Sequence, residues 1–352
     1  MATRIPEYDN GRSDPSDNDA ARPDDADLWF LPPRIEDDDD IPTPAHDRTI
    51  LTDWTRAEAA HAARLARVAG RMGALDERLR RGPAGWRHRL AVIEASELGW
   101  HLGDRIGPDR LAQWLALRLA GVQDDAGALA RVGWAVRRLT GGPGPAEGLA
   151  DFLDRRDPET ATLDADRLSD RAGAWSGVMA QGRDLHPISR ACMGFHLWNL
   201  AGLSQQGDRL EAAVTAARIA ATDFQGAVFA PLAIGGGLGA SGALRSGGTP
   251  GERLGRWLDA MDRACLAAMR HLDDIDAWAT RAATTTAPLS GRTPPALLSV
   301  LTEWPFVSAP MAERLTGASR AAVQRNLDWM ERHGLIREVT GQGRFRMWRA
   351  AA

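Results

Sequence analysis

From residue 51 onward, apolar side chains recur every three or four positions, the spacing of one buried helical face, and period-two alternation is absent before residue 335. Thr55-Arg56-Ala57-Glu58 has capping-box spacing and predicts a first helix that starts at Thr55 and stops before Gly82-Pro83. Within it Leu65, Val68, Met72, Leu75 and Leu79 form one stripe, readable as a core face or as a dimer seam. Further helices are predicted from Trp86 to Trp100, from Pro108 through Leu111, Trp114 and Leu115, and through Leu129, Val132, Val136 and Leu139. Gly141-Gly142-Pro143-Gly144-Pro145 breaks the chain. Helical patterns resume over 149–153, 163–178, 188–203 and 210–221, followed by a glycine-rich stretch at 235–251, expected to be a flexible loop. A long helix then carries Leu254, Trp257, Leu258, Met261, Cys265 and Met269, with Ile275 and Trp278 on the next one. The pattern predicts an all-α body.

The last sixty residues follow a different plan. Leu297, Leu298 and Leu301 give a short amphipathic helix closed by Trp304-Pro305. Ser308 suits an N-cap for a helix with Met311 and Leu315 on one face, and Thr316-Gly317-Ala318 is a tight turn. Ser319 caps a second helix with Val323, Leu327 and Met330 inward and Arg320, Ala321, Gln324 and Arg325 outward. After His333-Gly334 come Leu335 to Val339, the turn Thr340-Gly341-Gln342-Gly343, and Arg344 to Arg349, which read as a hairpin with Arg344 and Arg346 on the face opposite Phe345 and Met347. Two helices, a short glycine turn and a basic hairpin make a winged helix-turn-helix. In such a layout the second helix enters a major groove, where Arg and Gln can each pair with a purine edge, while hairpin arginines neutralise phosphates. The candidate DNA-binding residues are therefore Ser319, Arg320, Gln324, Arg325, Arg344 and Arg346.

Charge sharpens this picture. The net charge is −4, yet residues 1–53 hold 15 acids against 5 arginines, and residues 290–352 hold 9 arginines against 5 acids. An acidic end and a basic end are the distribution expected of a nucleic-acid binder with a solvating tail. The first 49 residues are rich in Asp and Pro and poor in large apolar side chains, so they are expected to be disordered. All 43 basic residues are arginines, and the absence of lysine removes Walker A loops, Schiff-base enzymes and Ser-Lys dyads. Two cysteines, Cys192 and Cys265, cannot build a disulfide framework or a structural zinc site. Without an 18-residue apolar run or an export signal, the expected location is the cytoplasm, away from membranes.

Other motifs carry little. Gly237-Leu238-Gly239-Ala240-Ser241-Gly242 fits the dinucleotide-binding string, but Pro231 interrupts the apolar run before it, Gly247 and Gly248 follow, and the later acids lie in a helical pattern. The eight histidines do not cluster at ligand spacing, and no Gly-x-Ser-x-Gly occurs. No cofactor, metal or catalytic residue is expected.

The segment from Leu297 to Trp348 resembles the C-terminal winged helices attached to Fic-family proteins. Through Met72 to Leu90 and the C-terminal module, the chain from about residue 51 also resembles an often plasmid-borne family of plant-associated bacteria, which joins a helical domain of unknown function to a helix-turn-helix domain. In the centre, His186-Pro187-Ile188-Ser189-Arg190-Ala191 resembles the lead-in to a Fic catalytic loop. The resemblance then puts Gly202 at the place of the catalytic histidine, and Leu203-Ser204-Gln205-Gln206-Gly207-Asp208-Arg209 lacks the base, the metal-holding acid and the glycine-rich anion loop. It implies a relative without nucleotidyl transfer.

The expected organisation is an acidic tail (1–50), an N-terminal helical domain (51–140), a central degenerate Fic-like helical domain (146–283), a Thr/Pro-rich linker (284–295) and a winged helix-turn-helix (296–352). The expected function is binding of double-stranded DNA and regulation of transcription, the body supplying homodimerisation or sensing of an effector of unknown identity. The alternatives are a catalytically dead Fic-like pseudoenzyme, or an interaction protein whose winged helix, or whose Leu65–Leu79 stripe, meets partners.

Overall fold

A computed structural model of the chain describes residues 44–117, 125–154, 163–204, 209–236, 238–341 and 346–352. The acidic tail expected over 1–50 lies outside the described residues up to position 43. Residues 44–50 are helical, and they begin α1 (Pro44–Ala60). The first helix therefore starts well before Thr55. Thr55 sits inside it with its hydroxyl donating to the Leu51 carbonyl, and Glu58 accepts a hydrogen bond from the distant His186 N–H instead of capping locally.

The chain turns at His61 into α2 (Ala62–Arg81), followed by α3 (Gly85–Leu102), α4 (Pro108–Leu117), α5 (Ala126–Thr140), α6 (Leu149–Leu153), α7 (Leu163–Gln181), α8 (Pro187–Leu200) and α9 (Leu210–Ala220). The expected glycine-rich flexible loop contains a short helix, α10 (Leu238–Ala243), and is fastened to the body. Arg256 donates to the Gly242 carbonyl and Arg209 to that of Leu244. Just before it, fully buried Glu94 on α3 accepts backbone N–H bonds from Leu232, Ala233 and Ile234 at 2.8–3.1 Å.

The spine is α11 (Pro250–Thr286), a single helix of 37 residues, roughly 55 Å long. The two helices expected here are one, because the buried set Leu254, Leu258, Met261, Cys265, Ala268, Leu272, Ile275, Trp278 and Ala282 keeps its three- and four-residue steps through Asp273-Asp274. Thr249 and Glu252 close a full capping box at its start, with Pro250 in the first turn. Against α11 runs α2, whose Leu65–Leu79 stripe is buried within the chain. That stripe is a core face, so neither a dimer seam nor a partner surface can use it. Beside the stripe Arg64, Arg67, Arg71 and Arg78 face Asp259, Asp262, Asp273 and Asp276 along parallel helices. These pairs are partly exposed, so they align the helices more than they stabilise them.

Helix α11 takes the first three residues of the expected linker, ending at Thr286, and the next helix takes its last three, from Thr293. After α11 come α12 (Thr293–Glu303), β1 (Val307–Ser308), α13 (Ala309–Thr316), α14 (Arg320–Arg332), β2 (Ile336–Glu338) and β3 (Met347–Ala350). The three strands form one antiparallel sheet in the order β1-β3-β2. The fold is an all-α body that ends in a small winged helix-turn-helix. One buried apolar cluster runs from Trp54 to Ala350 through both parts. No helix among the described residues is long and apolar enough to cross a membrane.

Candidate nucleic-acid interface

The two helices of the motif begin as the local sequence dictates. The Ser308 hydroxyl accepts the Met311 N–H and the Ser319 hydroxyl the Ala322 N–H, each at 3.4 Å. Each cap satisfies one of the free amides of a helix start. Between them Gly317 turns the chain in the left-handed region (φ 66°), where a Cβ is disfavoured, and its N–H closes α13 on the Glu313 carbonyl. Val323, Leu327 and Met330 are fully buried, as their spacing requires. On α13 the inward residue is Ala312, while Leu315, expected inside, is exposed. A small side chain there lets α13 lie close to α12 and α14.

On the outer face of α14, Arg320 and Arg325 are exposed, and neither makes a hydrogen bond or ion pair among the described residues. Both lie within two turns of the Ser319 cap, and in the first of these turns the helix dipole also favours an anion. Gln324 is half-buried, its amide nitrogen donating to Asp328 Oδ1 at 2.8 Å. Arg314, which the sequence reading passed over, is a third exposed and unpaired arginine, one turn before Gly317 on α13. Its signal was its place beside the turn.

The wing departs from expectation. Arg346 does not stand free: it donates to Glu331 Oε2 at 2.8 Å and its guanidinium lies over the Trp348 ring, 4.8 Å from the centroid. Trp348 Nε1 donates to the same Glu331 oxygen at 3.2 Å, so one carboxylate of α14 holds both Arg346 and Trp348. Trp348 is itself buried, which period-two alternation with Met347 had not predicted. Arg337 and Arg349 reach Asp109 of α4 at 3.5 and 3.4 Å. Arg344 lies outside the described residues. Just after β2, Glu338 accepts N–H bonds from Thr340 and Gly341.

The module is seated on the body rather than tethered to it. Arg89 of α3, buried, donates to the carbonyls of Leu301, Thr302 and Trp304 at the end of α12. Burial lowers the pKa of this guanidinium to about 10. Trp278 of α11 donates its indole N–H to the Leu335 carbonyl at 2.7 Å. A Cβ on Gly85 would fall 2.6 Å from the Glu303 carbonyl oxygen, so only glycine allows this approach. None of these contacts was visible in the sequence, because each joins residues separated by dozens of positions.

In the centre, His186 caps α8, its Nδ1 accepting the Ile188 N–H at 3.1 Å. Gly202 follows α8 with φ 60° and offers its carbonyl to Arg171. Leu203 is buried, the Ser204 hydroxyl donates to Glu211, and residues 205–208 lie outside the described ones. Among the described residues no group of histidine, cysteine and carboxylate side chains is placed to hold a metal ion.

Helix, left-handed glycine turn, capped helix and antiparallel wing define a winged helix-turn-helix protein. Residues 294–350 match the family model described as an HTH DNA-binding domain. No curated protein matches the chain.

Proposed function

We propose that this protein binds double-stranded DNA through α14 and regulates transcription, with the helical body serving homodimerisation or effector sensing. The observation that carries the reading is the pair Arg320 and Arg325, exposed and unpaired beside the capped start of α14 in a segment that matches a DNA-binding family. Arg344 is proposed as a phosphate contact from the wing, and Arg314 as a flanking one. The central helices are read as a non-catalytic scaffold of Fic-like ancestry, and the chain as a non-enzyme. This reading is supported by the glycine at position 202 and the absence of lysine.

A second reading, a winged helix that meets a protein partner, is favoured by the wing itself. Arg337, Arg346 and Arg349 are all spent on internal carboxylates. Titration of the full chain on mixed genomic duplexes at three or more salt concentrations separates the two. DNA binding gives a log affinity that falls linearly with log salt, by about 0.9 per phosphate contact for each tenfold rise in salt. No salt-dependent affinity for any duplex gives the partner reading its place.

A further inference from the structure

Away from the helix-turn-helix, a cavity of about 560 Å³ lies between the 144–149 segment, α7, α8, α9 and the chain at 221–228. Its floor includes buried Leu149, Trp175, Met179 and Ile219. Exposed Glu147, Ala180, Arg183 and Gln225 stand at its mouth. This size and this balance of apolar wall and few polar groups are those of a small-molecule site.

Three arginines and one carboxylate line it. Arg218 is occupied, donating to the carbonyls of Arg138, Gly141 and Gly142 and so closing the end of α5. Glu147 is occupied too, accepting the Gly144 N–H at 3.1 Å. Arg183 reaches only its neighbour Asp184, at 4.0 Å, in solvent. Arg190 differs from all of these. It is half-buried and its side chain makes no hydrogen bond or ion pair among the described residues. A guanidinium stays charged at any ordinary pH and presents a planar fork of donors that matches a carboxylate. Its nitrogens are open to water in the cavity, so a bound carboxylate would replace that water with charge-assisted hydrogen bonds to the fork.

We propose that this cavity binds a small organic carboxylate with an aromatic or aliphatic body, the carboxylate paired to Arg190 and the body covering Trp175, Met179 and Ile219. Arg183 at the mouth adds attraction for the incoming anion. The use of such a ligand as an effector rests on the DNA-binding reading. The site does not, and its test contains no DNA, so either can fail alone.

The test is calorimetric titration of the full chain with phenylbutyrate, phenylbutanol and phenylbutylamine, which share a body and differ in charge. The acid is expected to bind at least about tenfold more tightly than the alcohol, and the amine not measurably. A tenfold ratio corresponds to about 1.4 kcal/mol. Arg190→Gln should bring the acid to the level of the alcohol and leave the alcohol unchanged. Ala180→Trp, at an exposed position, should block all binding while the thermal midpoint stays put, and it carries the test if Arg190→Gln does not fold. Equal affinity for the three probes, acid binding that survives Ala180→Trp, or no binding by any probe overturns the proposal.

Discussion

One guanidinium nitrogen of Arg89 lies 2.6 Å from the carbonyl oxygen of Trp304, so that a cation of the body closes the last turn of the first helix of the winged module. A helix end leaves its final carbonyls unpaired, and a cation placed there satisfies them and the negative end of the dipole together. Arg89→Met keeps the bulk and removes the donors. It is expected to cost about 2–3 kcal/mol, the penalty of leaving buried carbonyls unsatisfied. Calorimetry should show a lower thermal midpoint, and hydrogen exchange should show lost protection around 301–304. An unchanged midpoint would mean that the seat is held elsewhere.

Arg320 and Arg325 should separate from Arg346 in binding. If α14 reads bases, Arg320→Ala or Arg325→Ala costs about 1–3 kcal/mol of affinity on a selected site and relaxes preference at one base pair. Arg346→Ala should act on stability, since it breaks the contacts with Glu331 and Trp348. Its salt slope should match the wild type, whereas Arg344→Ala should flatten the slope by roughly one unit. A slope change at Arg346 equal to that at Arg344 would place both on the phosphate backbone.

Acid should weaken the fold through His196. Burial, with Arg253, Arg256 and Arg209 nearby, lowers its pKa from 6.5 to about 3. Unfolded chains therefore take up this proton below pH 6.5, while the native state refuses it until about pH 3. The stability contribution is complete above 6.5 and is lost as pH falls, at up to about 1.4 kcal/mol per pH unit. His196→Phe keeps an aromatic ring beside Trp54 and Phe195 and should shrink the drop in thermal midpoint between pH 7 and pH 5. An equal drop in the variant would shift the cause to other groups, among them His271, lowered to about 4.

Incubation of the purified chain with labelled ATP and Mg²⁺ should leave every protein unlabelled. The expected position of a Fic base is Gly202, and its neighbours Leu203 and Ser204 are committed to packing and to Glu211. Label transfer that survives repurification would restore an enzymatic reading.

What the sequence made legible was local. Ser308, Gly317 and Ser319 announce the turn because each acts on its own backbone, and the Val323–Leu327–Met330 steps reveal an inner face by period alone. The same logic misplaced the start of α1. The Thr55–Glu58 spacing is a capping box only where the preceding chain is not already helical, and here it is. It also split α11 between Met269 and Ile275, where Asp273 and Asp274 sit on the solvent side of an unbroken stripe. On the wing, alternation gave the hairpin but not the fate of Arg346, because Glu331 lies on another element. Arg89, Glu94 and Trp278 were silent for the same reason: a buried polar side chain is explained by partners that only the tertiary fold brings near.

The unbroken course of α11 from the body core to Trp278 under the wing bears on how the module would meet a DNA site. A reading head on a slack tether tolerates variable gaps between half-sites. A head fixed to its scaffold does not. Two such chains joined through their bodies would grip a duplex like a caliper of set opening, with half-sites in register every 10–10.5 base pairs. Inserting half a helical turn between them would swing one site to the far side of the DNA and leave only a single chain engaged.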